Sequence, residues 1–188
     1  MSAQRAGFTT LELLVAATVG LLVTGAALAL CAAGNRAVAR LTAAQSRWQE
    51  LRAAATVWQG EWRGAGYDPT GAAASGVTRL AAETLEFSAD WNGNGTLLPT
   101  GSNPNERLAW AAAAGVWRRG VNGGPRLPAA WPDSLRFYFR GGEGEELGPG
   151  PRAALVRYTV ARAVVVGSRG TAPVVVEWGA ARRNPPPP

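Results

Sequence analysis

Gly7-Phe8-Thr9-Thr10-Leu11-Glu12-Leu13-Leu14-Val15 opens a run that stays apolar through Leu30 and Cys31. Glu12 is the only charged residue between Arg5 and Arg36. A membrane-spanning helix needs about 20 mostly apolar residues, and the 26 residues from Phe8 to Ala33 meet that length. A carboxylate in such a run costs roughly 2.5–3.5 kcal/mol at the bilayer centre, so it normally has a partner and a task. No cation lies within the run to serve Glu12. Cutting the chain between Gly7 and Phe8 would create one. The new α-amino group of Phe8 would lie four residues before Glu12, on the same side of a helix. It could neutralise Glu12 of its own chain or of a neighbour.

Gly7-Phe8-Thr9-Thr10-Leu11-Glu12, after a short leader carrying Arg5, resembles the class III signal of type IV pilins and pseudopilins. The resemblance implies that a prepilin peptidase cuts between Gly7 and Phe8 and N-methylates Phe8. It also implies that Glu12, at the fifth mature position, guides subunit assembly. Two other signals compete for the same stretch. A secretory signal would be cut at Ala27-Leu28-Ala29, but such cores span about 7–15 residues and do not open on an acid. A lipoprotein signal would end at Leu28-Ala29-Leu30-Cys31, but Leu30 stands where a small residue is needed. Arg36, Arg40 and Arg47 come after the apolar run, and positive-inside counting therefore opposes a cytoplasmic N-terminus. The proposed cut site requires that topology.

Beyond the membrane run the helix continues. Leu41, Ala44, Trp48, Leu51, Ala55, Trp58 and Trp62 recur at alternating steps of three and four, an a/d stripe. Arg47, Gln49, Glu50, Arg52, Gln59 and Arg63 fall off it. Arg63-Gly64-Ala65-Gly66-Tyr67 ends the helix, because glycine permits the left-handed turn that stops one. This segment is similar to the Arg-x-Ala-Gly-Tyr segment of PilW-like minor pilins, which makes Arg63, Gly66 and Tyr67 a helix-end motif.

Past Tyr67 the chain is turn-rich and strand-like. Strands are expected at Thr84–Phe87, Leu108–Trp110, Val116–Arg118, Leu135–Phe139, Ala154–Val166 and Val174–Trp178, with Ala111–Gly115 as a hairpin loop. The expected fold class is α+β, a long N-terminal helix packed on an antiparallel sheet in the manner of pilins. The expected divisions are a leader at 1–7, a transmembrane helix at 8–33 and its amphipathic extension at 34–64. A β-rich domain at 65–184 and a proline tail at 185–188 complete the chain.

The chain has 188 residues and a formal charge of +6, and it contains neither Lys nor His. Removing residues 1–33 leaves 18 Arg against 12 acids, so the outer part carries the excess. Such a surface attracts polyanions, although the arginines are scattered, with pairs only at Arg118-Arg119 and Arg182-Arg183. The lone Cys31 excludes an internal disulfide and has no His for nucleophilic catalysis. Within the apolar run it is expected to be a small buried hydrophobe. Without Lys there is no phosphate-binding Gly-Lys-Ser/Thr loop, and the resemblance implies that a separate ATPase drives assembly. Glu143, Glu145 and Glu146 lie in a glycine-rich loop with no apolar wall, the setting of solvated acids rather than a hydrolytic pair.

Asp90-Trp91-Asn92-Gly93-Asn94-Gly95 matches the first half of a calcium loop, with Asp90, Asn92 and Asn94 at the first, third and fifth positions. The second half fails: Leu98 and Gly101 occupy the ninth and twelfth positions, and Glu106 is the nearest substitute. Asn-Gly pairs equally make turns, and PilW-like minor pilins carry a similar turn before a hairpin ending like Val116-Trp117-Arg118. No cofactor is expected beyond this candidate cation. Trp91, Trp110, Trp117 and Trp131 are candidates for stacking on single-stranded DNA, with burial between helix and sheet as the alternative.

The resemblance implies a minor pilin of a type IV pilus or related filament, in motility, adhesion or natural transformation, and not an enzyme. The alternatives are a type II secretion pseudopilin and a pilus-associated DNA receptor. The implied partners are other pilin subunits, the prepilin peptidase, the inner membrane, the assembly machinery and, as a further candidate, DNA. The implied location is the inner membrane, single-pass, with the globular domain outside the cytoplasm.

Overall fold

The computed structural model describes residues 8–73, 75–97, 106–124, 126–130, 132–148, 156–165 and 173–183. One helix, α1 (Thr10–Arg63), runs unbroken for 54 residues. Its Ala- and Leu-rich sequence has high helix propensity, and no proline interrupts it. It stops where Gly66 adopts a left-handed φ of 81°.

The strands form two antiparallel sheets rather than the single sheet expected. The first is a meander of β1 (Val77–Ala81), β2 (Thr84–Ser88), β3 (Arg107–Ala113), β4 (Val116–Val121) and β5 (Leu127–Ala130). The second comprises β6 (Ser134–Arg140), β7 (Glu146–Leu147), β8 (Tyr158–Val165) and β9 (Val174–Ala181), in the order β7-β6-β8-β9. Three of these strands lack a clear sequence signal. β1 comes after a loop of small residues, β5 contains Pro128 at a sheet edge, and β7 has only two residues. The β3–β4 hairpin is also tighter than expected. Ala111–Ala113 pair with Val116–Arg118, leaving Ala114 and Gly115 as a two-residue turn with φ of 49° and 70°. Of the expected Ala154–Val166 strand, 154, 155 and 166 lie outside the described residues. Within it Thr159, Ala161, Ala163 and Val165 face the core.

The chain divides into two compact units, Met1–Ser46 and Arg47–Pro188. In the first, the large apolar side chains of α1 are exposed, with Leu30 at 77%. Cys31 is exposed along with them, not buried. In the second, the a/d stripe goes inside: Leu51, Ala55, Trp58 and Trp62 are buried, together with Ala54. The stripe's first members, Leu41 and Ala44, remain exposed.

The core of the second unit is aromatic. Trp58 of α1 meets Trp117 at 6.3 Å between ring centroids and Phe137 at 6.0 Å, so one side chain touches both sheets. Trp110 lies 5.0 Å from Trp117, and Trp62 meets Phe87 edge-on at 5.4 Å. Such pairs add about 0.5–1.5 kcal/mol each beyond the area they bury. Polar contacts fix the helix in register. Glu61 accepts hydrogen bonds from Trp110 Nε1 at 2.8 Å and from the Arg119 guanidinium. On the second sheet, Gln59 donates to the Gly179 carbonyl and Trp62 Nε1 to that of Ala180.

Candidate functional site

The N-terminal end of α1 and its C-terminal end carry the residues that the sequence singles out. At the first, Leu13 N–H donates to Thr9 O at 3.1 Å, which makes Thr9 the residue that caps the helix. Glu12 N–H donates to Thr9 Oγ1 at 3.2 Å. In return Glu12 Oε2 accepts from Thr9 N–H at 2.9 Å and from its hydroxyl at 2.8 Å. This reciprocal arrangement is a capping box. Thr-x-x-Glu preceding an apolar run is its sequence signature, and it gives Glu12 a local partner in the uncut chain. A search for cations alone passes over that partner. Gly7 lies outside the described residues, and Phe8 stands exposed just before the helix.

At the other end, the helix-end motif is brought together. Gly66 N–H donates to Ser88 O at 2.9 Å, and Asp90 N–H donates to Tyr67 O at 2.7 Å. The chain leaving the helix is thereby stitched to the end of β2. Tyr67 and Trp91 stack at 6.2 Å with their planes 23° apart. Gly64 has a function that its place in the motif does not reveal. A Cβ there would lie 1.8 Å from the Trp91 indole, so only glycine lets that ring rest on the helix end. Trp91 keeps 44% of its surface exposed and Tyr67 40%. Arg183 N–H donates to Arg63 O at 3.0 Å, which sets the two backbones side by side. Gly60, Arg63, Gly64, Tyr67, Trp91 and Arg183 line an open cavity of about 610 Å³.

Two charged groups next in sequence to its lining residues are shifted. Burial, and then the neighbouring Arg157 charge, push the Arg182 guanidinium below its ordinary value. For Asp68, desolvation opposes ionisation, but hydrogen bonds from Thr70, Gly71, Ser75 and Ala73 outweigh it and hold the carboxyl below the usual range.

Asp90 is fully buried, and the loop closes on it. Its carboxylate accepts N–H bonds from Gly93 at 2.8 Å, Asn94 at 3.2 Å and Gly95 at 2.9 Å. Asn92 Oδ1 accepts from Asn94 N–H, and Asn94 Oδ1 from Thr96 N–H. Gly93 and Gly95 take φ of 70° and 76° to allow this. The oxygens a calcium reading assigns to a cation thus already hold the turn together. Leu98 and Gly101 lie outside the described residues. Glu106 is 1% exposed, and among the described residues neither of its oxygens has a hydrogen-bond partner. Strand alternation puts it on the face of Leu108 and Trp110, toward the core. Among the described residues no group of three His, Cys, Asp or Glu could hold a metal.

The other candidates separate cleanly. Trp110 and Trp117 are wholly buried, so neither can stack on an outside ligand. Trp131 lies outside the described residues. Glu143, Glu145 and Glu146 are exposed. Arg119 of the Arg118-Arg119 pair belongs to the Glu61 contact. Glu61 itself carries no sequence signal, because its partners lie 49 and 58 residues away.

Helix α1 is long and apolar enough to cross a membrane. The chain is thus an α+β protein with, among the described residues, one such helix near its N-terminal end. Comparison with known proteins adds no relative: no protein-family model, curated protein or solved structure matches it.

Proposed function

We propose that this chain is a minor pilin or pseudopilin, held in the inner membrane by the first part of α1 and assembled into a filament through it. The observation that supports this most is the union of two features in one element. The Gly7-Phe8 junction precedes in sequence a 54-residue helix whose first turn holds Glu12. That helix leaves its apolar first part bare and buries only its last turns in a domain of its own.

In this reading the work is assembly, not catalysis. A prepilin peptidase cuts after Gly7 and methylates the Phe8 amine. The new ammonium competes with Thr9 for Glu12, either within the chain or across to a neighbour. Because that acid is already held by hydrogen bonds, release from the capping box becomes part of the step. The mature helix then enters a bundle whose apolar surface replaces lipid, while the β-rich domain makes the outer contacts.

The test is the mass of the mature N-terminus, with Gly7→Val as the blocked control. A chain beginning at methylated Phe8, and an uncut variant, are expected. A wild-type chain that keeps its first seven residues beside an active peptidase would overturn the proposal. Co-purification with pilus subunits or with secretion subunits then decides which filament it joins.

A further inference from the structure

We propose that the cavity at the C-terminal end of α1 is a polyproline groove, and that its occupant is this chain's own Pro185–Pro188, lying across Trp91 and Tyr67. Residues 184–188 lie outside the described residues; what points to them is the chemistry of the cavity and its place in the chain. Every residue involved belongs to the second unit, and filament assembly plays no part.

The cavity holds a ready platform. Tyr67 and Trp91 stack, and the Trp91 indole rests against Gly64, where a Cβ would strike it. Both rings nonetheless remain exposed. Aromatic-lined grooves are where proline-rich segments dock, because a polyproline II helix is formed before it binds and loses little entropy on binding.

The polar side chains around the platform suit the same ligand. Proline has no N–H, so a run of four offers carbonyl acceptors and no backbone donor. Arg63, Arg183 and the Trp91 indole are donors only, and no carboxylate lines the cavity. Among the described residues neither arginine forms an ion pair, which leaves the Arg63 guanidinium for a proline carbonyl. A sugar or an ordinary peptide brings donors as well as acceptors. The only side-chain acceptor lining the cavity is the Tyr67 hydroxyl.

The tail is also in reach. Arg183 N–H donates to Arg63 O at 3.0 Å, so the chain arrives at the rim of the cavity, and the prolines begin two residues later. Four prolines in polyproline II geometry extend about 12 Å, at about 3.1 Å each. That is enough to cross a ring pair whose centroids lie 6.2 Å apart. So short a tether gives an effective concentration in the millimolar range, and weak contacts with the rings then suffice. A ligand from outside would have to displace the tail before it reached Trp91.

The experiment follows the fluorine resonance of Trp91 in the uncut full chain, labelled with 5-fluorotryptophan and held in neutral detergent. Loss of one line in Trp91→Phe identifies it. The chain is compared with one carrying Pro185→Gly, Pro186→Ser, Pro187→Gly and Pro188→Ser. In the substituted chain the Trp91 line is expected to move while the core tryptophan lines stay, which also shows that the fold is intact. A synthetic decaproline peptide should return the line toward its wild-type position. It should bind the substituted chain about tenfold more tightly than the wild-type chain, whose groove is filled. A Trp91 line at the same position in both chains overturns the proposal. So does decaproline that binds both chains equally, or neither. A wild-type line that shifts on dilution would mean that the tail comes from a second copy, which overturns docking within the chain. Because the uncut chain is used, failure here leaves the filament proposal standing, and failure of processing leaves this one standing.

Discussion

The two parts of α1 share a backbone geometry and differ in what their apolar side chains meet. Before Ser46, leucine, valine and phenylalanine stand exposed. After Arg47, leucine, alanine and tryptophan vanish into a core that two sheets complete. Exposed apolar area on this scale marks a surface for lipid or protein, whereas the buried stripe is the ordinary means by which a helix joins a domain. Hydrophobicity alone therefore does not tell which part folds the protein. The first part is more apolar yet contributes no residue to the core.

The contrast between the two parts is most exposed to test at Trp58. Trp58→Ala removes the ring that touches both sheets and should cost about 3–5 kcal/mol in unfolding of the second unit. Leu14→Ala, an apolar truncation in the exposed part, should leave the same unfolding curve within about 0.5 kcal/mol. Equal losses in the two variants would mean that the units are not energetically separate. Denaturant titration followed by tryptophan fluorescence reads both.

Next comes the polar register of the buried part. Glu61→Ala strips Trp110 and Arg119 of their acceptor and should cost about 1.5–3 kcal/mol, as losing hydrogen bonds to a charged group does. Glu61→Leu should do no better, because Arg119 loses its acid in either variant. If thermal melting showed neither variant to be destabilised, the contact would be ornamental.

Glu106 probes the buried part from the opposite direction. It is a polar group within the core, and among the described residues its oxygens have no hydrogen-bond partner. Replacing it with leucine removes a buried unsatisfied group and should raise stability by about 1–3 kcal/mol. A loss of stability instead would reveal that the carboxylate answers to a partner, an ion included.

The smallest effect belongs to the first helical turn. Thr9→Ala opens the capping box and should cost about 1 kcal/mol locally, with Thr9→Ser nearly silent. Hydrogen exchange at Leu11–Leu13 would report the fraying, and the second unit should melt as before. Unchanged exchange would mean that lipid or detergent satisfies those amides in place of Thr9.

Much of the fold is legible along the chain because its signals are local. The apolar run, the alternating steps from Leu51 to Trp62, the glycines after Arg63 and the strands with clear alternation are set by neighbours within a few residues. The strands that escape notice are those without such a signal. β1, β5 and β7 are short edge strands, and pairing partners rather than their own residues define them. The division into two sheets has the same cause. Alternation tells which residues share a face, but not which strand lies beside which. The candidate site divides in a similar way. Arg63, Gly66 and Tyr67 stand out as a motif, whereas Gly64 matters only because Trp91 returns to it from 27 residues away.

The long helix, its apolar opening with Glu12, its end at the glycines and the α+β class were all written in the amino-acid order, since each arises from periodicity and backbone preference over a few residues. Three outcomes needed the folded molecule. The stripe goes inside from Leu51 onward, Glu61 answers Trp110 and Arg119, and Trp91 remains open beside two arginines while Trp110 and Trp117 close up. Those outcomes depend on which surfaces meet in space. Burial is a property of neighbours brought together by folding, and spacing along a chain does not contain it.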